Sequence, residues 1–238
     1  MSASRMATEL VQITRSVAQV MDSRSYRDGF SGDADTSSSL ISVLRFVNTA
    51  INILCRAGLV QAETTIAASS GQWAYPTPTT AHKIVDVLYT QANGNPKPLR
   101  EASLSDLNGR KRAWRETAGE PNVYIAIGTD TIYLYPVPNN TRNITIRYTN
   151  MIADLVASGD YPTGLPIAYH EPAAYIAAML LVGSDLSRDG NQARLQYIRD
   201  LFETAFPDVA KIVYARNLFA EGSQQTRKEG GGMQEDNN

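Results

Sequence analysis

The sequence predicts an α+β protein in which a helical bundle core carries an inserted antiparallel β lobe and ends in a flexible C-terminal tail. Three observations carry this. Apolar residues recur every three or four positions before residue 59 and again after 167, the spacing of a helix face. Between those stretches the period falls to two, with Gly, Pro and Asn clusters as breaks. The last stretch, EGSQQTRKEGGGMQEDNN, has no period and three consecutive glycines. The corresponding organisation is 1–59 for the N-terminal bundle helices, 60–150 for the lobe, 151–220 for the C-terminal bundle helices and 221–238 for the tail.

The elements follow in order. Leu10, Ile13, Val17 and Val20 predict a helix face between Met6 and Met21. SRSYRDGFSGDADTSSS then reads as a loop, with Ser37 to Ser39 available as caps. Leu40, Val43, Leu44, Val47, Ile51 and Leu54 predict a second helix closed by Gly58. The segments AETTIAAS, QWAYPTP, KIVDVLYT and KPLREA predict short strands, followed by VYIAI, TIYLYPV and NITIRYTN as an antiparallel meander. Between the two sets Ser103 to Leu107 opens a short helix or turn, and Leu107 and Trp114 are expected to pack it onto the sheet. IAYHEPAAYIAAMLLVGSD is apolar on more than one side from Ala173 to Val182, which predicts a central buried helix with Pro172 in its opening turn. A further helix runs to Phe206, and Val209, Ile212, Val213 and Leu218 allow a last one.

Charge and composition exclude several functions. The 22 Lys and Arg against 24 Asp and Glu give a net charge of -2, so the basic excess that drives nucleic-acid binding is missing. No run of about 18 apolar residues is present, and the N-terminus lacks the apolar stretch of a secretory signal. A soluble protein made in the cytoplasm, with no membrane partner, is expected. Cys55 is a single cysteine on an apolar helix face and reads as a small buried hydrophobe. His170-Glu171 lacks a second histidine one turn on, since position 174 is Ala, so the pair reads as a helix opening and not as a zinc site. No phosphate-binding glycine loop and no G-x-S-x-G elbow occurs, GDAD at 32–35 lacks the remaining ligands of a calcium loop, and the Asn139 and Asn143 sequons read as turn and strand edge. No enzyme activity, metal or cofactor is expected.

The densest basic feature is RKRAWRE, from Arg110 to Glu116. It admits three readings: a solvated face with Trp114 anchoring its loop, a protein contact centred on Arg112, Trp114 and Arg115, or contact with a polyanion beside a stacking ring.

The order of segments says more than any one motif. RFVNTAINILCRAG, QWAYPTP, KIVDVLY, KPLREASLSDL, Trp114 with AGEPNVYIAIGTDTIYLYPVPNNTRNITIRY, and DLVASGDYPTGLPIAYHEPAAYIAAMLL resemble, in that order, the head-to-tail adaptor (connector, neck) proteins of tailed bacteriophages, with a short-tailed phage favoured. The resemblance covers about residues 40 to 206. It implies a structural virion protein of the neck, below the portal. Such a protein forms a homo-oligomeric ring of twelve copies, extends the DNA channel without sequence-specific binding, and docks a tail or nozzle protein. It also implies that the C-terminal segment orders in a portal cleft, which places Glu221, Arg227, Lys228, Gly230, Gly231 and Gly232 at a contact. The N-terminal helix, the Gly/Ser/Asp loop before Leu40 and Pro172 depart from the pattern. The alternatives are a tail-tube or tail-completion protein elsewhere in the neck, or a soluble enzyme.

Overall fold

A computed structural model describes residues 7–18, 26–27, 41–110, 113–184 and 190–215. In chain order the elements are α1 (Ala7–Val17), β1 (Tyr26–Arg27), β2 (Ile41–Ser42), α2 (Val43–Arg56), β3 (Gln61–Ala68), β4 (Ala74–Pro76), β5 (Ala81–Thr90), β6 (Pro96–Pro98) and β7 (Arg100–Glu101). There follow α3 (Leu104–Arg110), β8 (Ala118–Gly119), β9 (Val123–Ile127), β10 (Thr131–Tyr135), β11 (Val137–Pro138), β12 (Arg142–Asn150), α4 (His170–Gly183), α5 (Asn191–Ala205) and α6 (Pro207–Ala215). The chain divides into two compact units, Met1–Val60 with Ile152–Asn238, and Gln61–Met151.

The first unit is helical and is organised around α4. Ala173, Ala174, Ile176, Ala177, Ala178, Met179, Leu181 and Val182 are all buried, so α4 has no single wet face and must be surrounded. It packs against α1, α2 and α5, while α1 also packs on α2 and α5 on α6. Small alanines let those neighbours approach closely. The buried side of α1 is Ala7, Leu10, Val11 and Thr14, with Ile13 and Val17 only half-buried, so its core face is rotated from the stripe read in the sequence. Thr14 is accommodated there because its hydroxyl donates to Leu10 O at 2.8 Å.

Helix α2 starts later than its apolar stripe. Ile41 and Ser42 pair with Tyr26 and Arg27, and the capping oxygen is Ser42 Oγ, which accepts from Arg45 N at 3.4 Å. The cap is therefore Ser42, and Ser37 to Ser39 lie outside the described residues. At the other end Gly58 (φ 78°) turns the chain, with Gly58 N–H donating to Cys55 O at 2.9 Å and Leu59 N–H to Leu54 O at 3.3 Å. That pair of bonds satisfies carbonyls a helix end otherwise leaves open, and it needs a residue at positive φ. Pro172 sits in the first turn of α4 and Pro207 opens α6, where a missing N–H costs nothing.

The second unit is a sandwich of two four-stranded sheets, ordered β4-β10-β9-β7 and β3-β12-β5-β6. Tyr75, Tyr124, Ile132 and Leu134 of one face Val87, Tyr89, Ile144 and Ile146 of the other in a single core. The first set reaches that core from strands that are apolar on both faces, as the period-two side-chain alternation allows. Tyr124, Ile132 and Leu134 point inward, while Ile125, Ile127, Tyr133 and Tyr135 point to the outer face. The second sheet is wet outside: Arg147 lies 3.4 Å from Glu63 and 3.5 Å from Asp86 across three strands. One expectation is corrected here. β9 and β10 form a hairpin about Gly128, but β12 does not continue the meander. It leaves after the Pro138–Asn140 turn and pairs between β3 and β5 in the other sheet.

Candidate protein interface

The basic loop rests on an aromatic base. Ser103 caps α3, its Oγ accepting from Asp106 N at 3.1 Å and donating to Asp106 Oδ2 at 2.7 Å. The short helix brings Leu107 and Asn108 over the outer face of the first sheet. There Leu107, Trp114 and Ile125 form a buried cluster with Trp73, Leu104, Ile127, Tyr133 and Tyr135 against it. Trp114 is 1% exposed, and its indole N–H donates to Asn108 Oδ1 at 3.0 Å. Its ring meets Trp73 edge-on at 5.7 Å, and Trp73 meets Tyr133 at 4.6 Å. Trp114 thus anchors its own loop, and its ring is not at the protomer surface. Among the described residues the loop presents Arg115, an exposed side chain whose guanidinium lies 4.7 Å from the Trp73 ring centre and 5.1 Å from that of Trp114. Arg112 lies outside the described residues, as do Glu221, Arg227, Lys228 and Gly230 to Gly232.

Beside this loop a cleft of about 470 Å³ is lined by Arg100, Glu101, Asp106, Leu107, Asn122 and Tyr135. Both signs of charge meet there, which suits a polar protein surface and not a polyanion. Nearby Tyr124 is buried next to Glu101; burial first, then the Glu101 and Asp86 charges, push its phenol up to about 12. It stays protonated and offers no base.

The helical unit presents a second surface, the 152–165 segment before α4. Asn48 on α2 exchanges two bonds with Leu155: Nδ2–H donates to Leu155 O, and Leu155 N–H to Oδ1, both at 3.0 Å. Asp160 Oδ2 accepts from Val156 N and Ala157 N at 2.7 Å each, which holds its carboxyl below the usual carboxylate range. The start of α1 adds Ala7 N–H to Asp160 O at 2.8 Å and the Thr8 hydroxyl to Ser158 O at 2.6 Å. A segment without regular structure is thereby held in one conformation while Val156 (53% exposed) and Tyr161 (49%) face outward. Neither Asn48 nor Asp160 stands out in the sequence. The only signals were a polar residue interrupting the α2 stripe and an Asp in a turn-rich stretch.

The chemistry-bearing residues singled out earlier are dispersed. His170 is buried and donates from Nε2 to Leu165 O at 3.1 Å, joining the loop to the opening of α4. His82 is exposed on β5. Cys55 is fully buried, and burial pushes its thiol up. Asn139 lies in a turn and Asn143 on β12, both exposed, and GDAD lies outside the described residues. Among the described residues no group of three His, Cys, Asp or Glu side chains is placed to hold a metal, and no helix is long and apolar enough to cross a membrane.

Residues 8–227 match the model of a family described as SU10 adaptor protein. No curated protein matches the chain.

Proposed function

We propose how this chain, which belongs to the SU10 adaptor protein family, carries out the structural role of that family, connecting portal and tail in the neck of a phage particle. Copies of the chain close into a ring of twelve beneath the portal, coaxial with it, and the ring continues the DNA channel toward a tail or nozzle protein. The family match over nearly the whole chain carries this reading. A net charge of -2 is in keeping with it, because a channel that gripped phosphate strongly would slow the passage of DNA.

Two surfaces serve the partners in this reading. The basic loop carrying Arg112 and Arg115 contacts a protein partner, with Trp114 beneath as the rigid base that holds Arg115 in place. The tail from Glu221, with Arg227, Lys228 and Gly230 to Gly232, enters a portal cleft, where its polar groups and glycines suit a narrow, hydrogen-bonding site. A chain ending at Ala220 should bind portal rings more weakly than the full chain. Equal affinity and occupancy for the two would remove the tail from the contact. Capture of full-length protein by portal rings, imaged in negative stain, tests the adaptor placement itself.

A further inference from the structure

A strand at the edge of a sheet leaves every second N–H and C=O without a partner strand, and proteins close such edges with prolines, shortness or side-chain caps. We propose that the free edge of β3 takes up an extended segment of a different protein of the particle as a fifth strand of its sheet, with a cation beside Glu63 and an apolar residue beside Ile66. The adaptor reading contributes only that the partner is another protein of the particle.

Among the described residues the two four-stranded sheets end on β4, β7, β3 and β6. Three of these edges are closed. On β4, Trp73 O accepts from Leu134 N and Thr77 N donates to Asp130 O, both at 2.9 Å, so Ala74 and Pro76 take the outward positions. Pro76 has no N–H, and Ala74 O accepts from the Gln72 side chain at 2.8 Å, which leaves no run of donors on a three-residue strand. On β6, Asn95 O accepts from Gln91 N at 2.9 Å and Leu99 N donates to Val87 O at 2.8 Å, so Pro96 and Pro98 face outward and neither can donate. Strand β7 is two residues long. None of these devices is present on β3. Its eight residues, QAETTIAA, contain no Pro, Lys or Arg, and they pair with β12 in unbroken register from Gln61 to Ala68, with no bulge to twist the edge away.

The side chains of β3 set the chemistry of the added strand. On the outer face Asp86 of β5, Arg147 of β12 and Glu63 of β3 alternate in sign across the sheet, with Arg147 3.5 Å from Asp86 and 3.4 Å from Glu63. Glu63 is the open end of that row, its side chain 63% exposed, and the next strand in the alternation carries a Lys or Arg. Two residues along, the Thr65 and Thr145 hydroxyls meet at 3.2 Å, a row that a further hydroxyl continues. On the inner face Ala62 and Ile66 pack on the rim of the sandwich core but are only half-buried, so an apolar residue beside Ile66 completes their burial. A second copy of this chain fits poorly. Its β4 and β6 lack the donors, its β7 is too short, and its β3 carries no cation to set beside Glu63. A strand from another protein satisfies the open backbone and the charge together.

The test uses full-length chain and an array of short peptides tiled across the other structural proteins of the particle and across this chain. Bound peptides should alternate apolar and polar residues and share a Lys or Arg. For the tightest of them, N-methylation of one residue at a time should abolish binding at every second position and spare those between, because only alternate N–H groups of an added strand reach β3. Glu63→Lys, at an exposed position, should leave protomer melting unchanged and weaken that peptide by roughly tenfold or more, and changing the peptide's own cation to Glu should restore it. In the free chain alternate amides from Ala62 to Ala67 should exchange quickly, and the same amides should become protected with the peptide bound. No bound peptide, a loss on N-methylation without a period of two, or binding indifferent to Glu63→Lys overturns the added strand. Binding confined to peptides of this chain makes the partner a second copy and also overturns it. Portal imaging reads the adaptor placement separately: bare portal rings remove that placement whether or not a peptide binds, and decorated portal rings with no bound peptide remove the β3 partner alone.

Discussion

Asn48 and Leu155, 107 positions apart, are joined by two hydrogen bonds of 3.0 Å that use both ends of the Asn48 amide. The side chain supplies to an irregular segment the donor and acceptor that a neighbouring strand would otherwise supply. Asn48→Ala leaves the Leu155 N–H and C=O without those partners and should cost about 1 to 3 kcal/mol of protomer stability. Urea unfolding measures the loss, and amide exchange at Leu155 should accelerate. Unchanged exchange there would show that the clamp does not order the segment.

The Asp160 carboxylate makes the same segment acid-sensitive. Its pKa is lowered in the folded protein by two backbone N–H donors. The unfolded chain therefore takes up the proton first as pH falls, and stability rises with pH through that window. The contribution is present above the ordinary value of 3.8 and is lost as pH drops through the lower folded value. Amide protection at Val156 and Ala157 should fall over that range, and Asp160→Asn should weaken protection at neutral pH and abolish its pH dependence. A pH-independent profile in the native chain would contradict the assignment.

Trp114 and Arg115 are neighbours with opposite expected effects. Trp114→Ala empties a buried site against Trp73 and Tyr133 and should cost about 3 to 5 kcal/mol, seen as a strong drop in protomer melting. Arg115→Ala removes an exposed cation–π contact and should stay within about 1 kcal/mol while weakening partner binding. Equal melting losses for the two would place Arg115 in the fold and not at a contact.

Cys55 should behave as a core atom. A thiol reagent should modify native protomer far more slowly than denatured chain, since the thiol is fully buried and its pKa raised. Cys55→Ser should destabilise by about 1 to 3 kcal/mol by placing a hydroxyl among apolar neighbours. Labelling at the denatured rate would contradict the packing of α2.

Much of the fold was legible because its local signals agree with its tertiary setting. Ala173 to Val182 can only be surrounded, Gly58 can only turn the chain, and the Ser103 to Leu107 stretch does open α3. Long-range pairing was not legible. The alternation of NITIRYTN identifies a strand but not its partners, and β12 pairs with residues about 80 positions back, beyond what any turn signal reaches. The α1 face was misjudged because Thr14 satisfies its own hydroxyl on α1 and so can be buried where an apolar residue was expected. The interface side chains were the least legible. Trp114 beside arginines reads equally as a contact centre or as the anchor of its loop, and the aromatic cluster beneath it, with Leu107 as expected, decides for the anchor while Arg115 remains outside. Asn48 and Asp160 act through backbone partners, which leave no mark in side-chain patterning.

Imaging of full-length protein mixed with portal rings of the same phage at tens of micromolar tests the placement between portal and tail. Added density is expected coaxial with the portal on its tail-facing side, with the symmetry of a closed ring and an open central channel. Portal rings that remain bare, with the protein sedimenting as a free monomer in the same mixture, would contradict it.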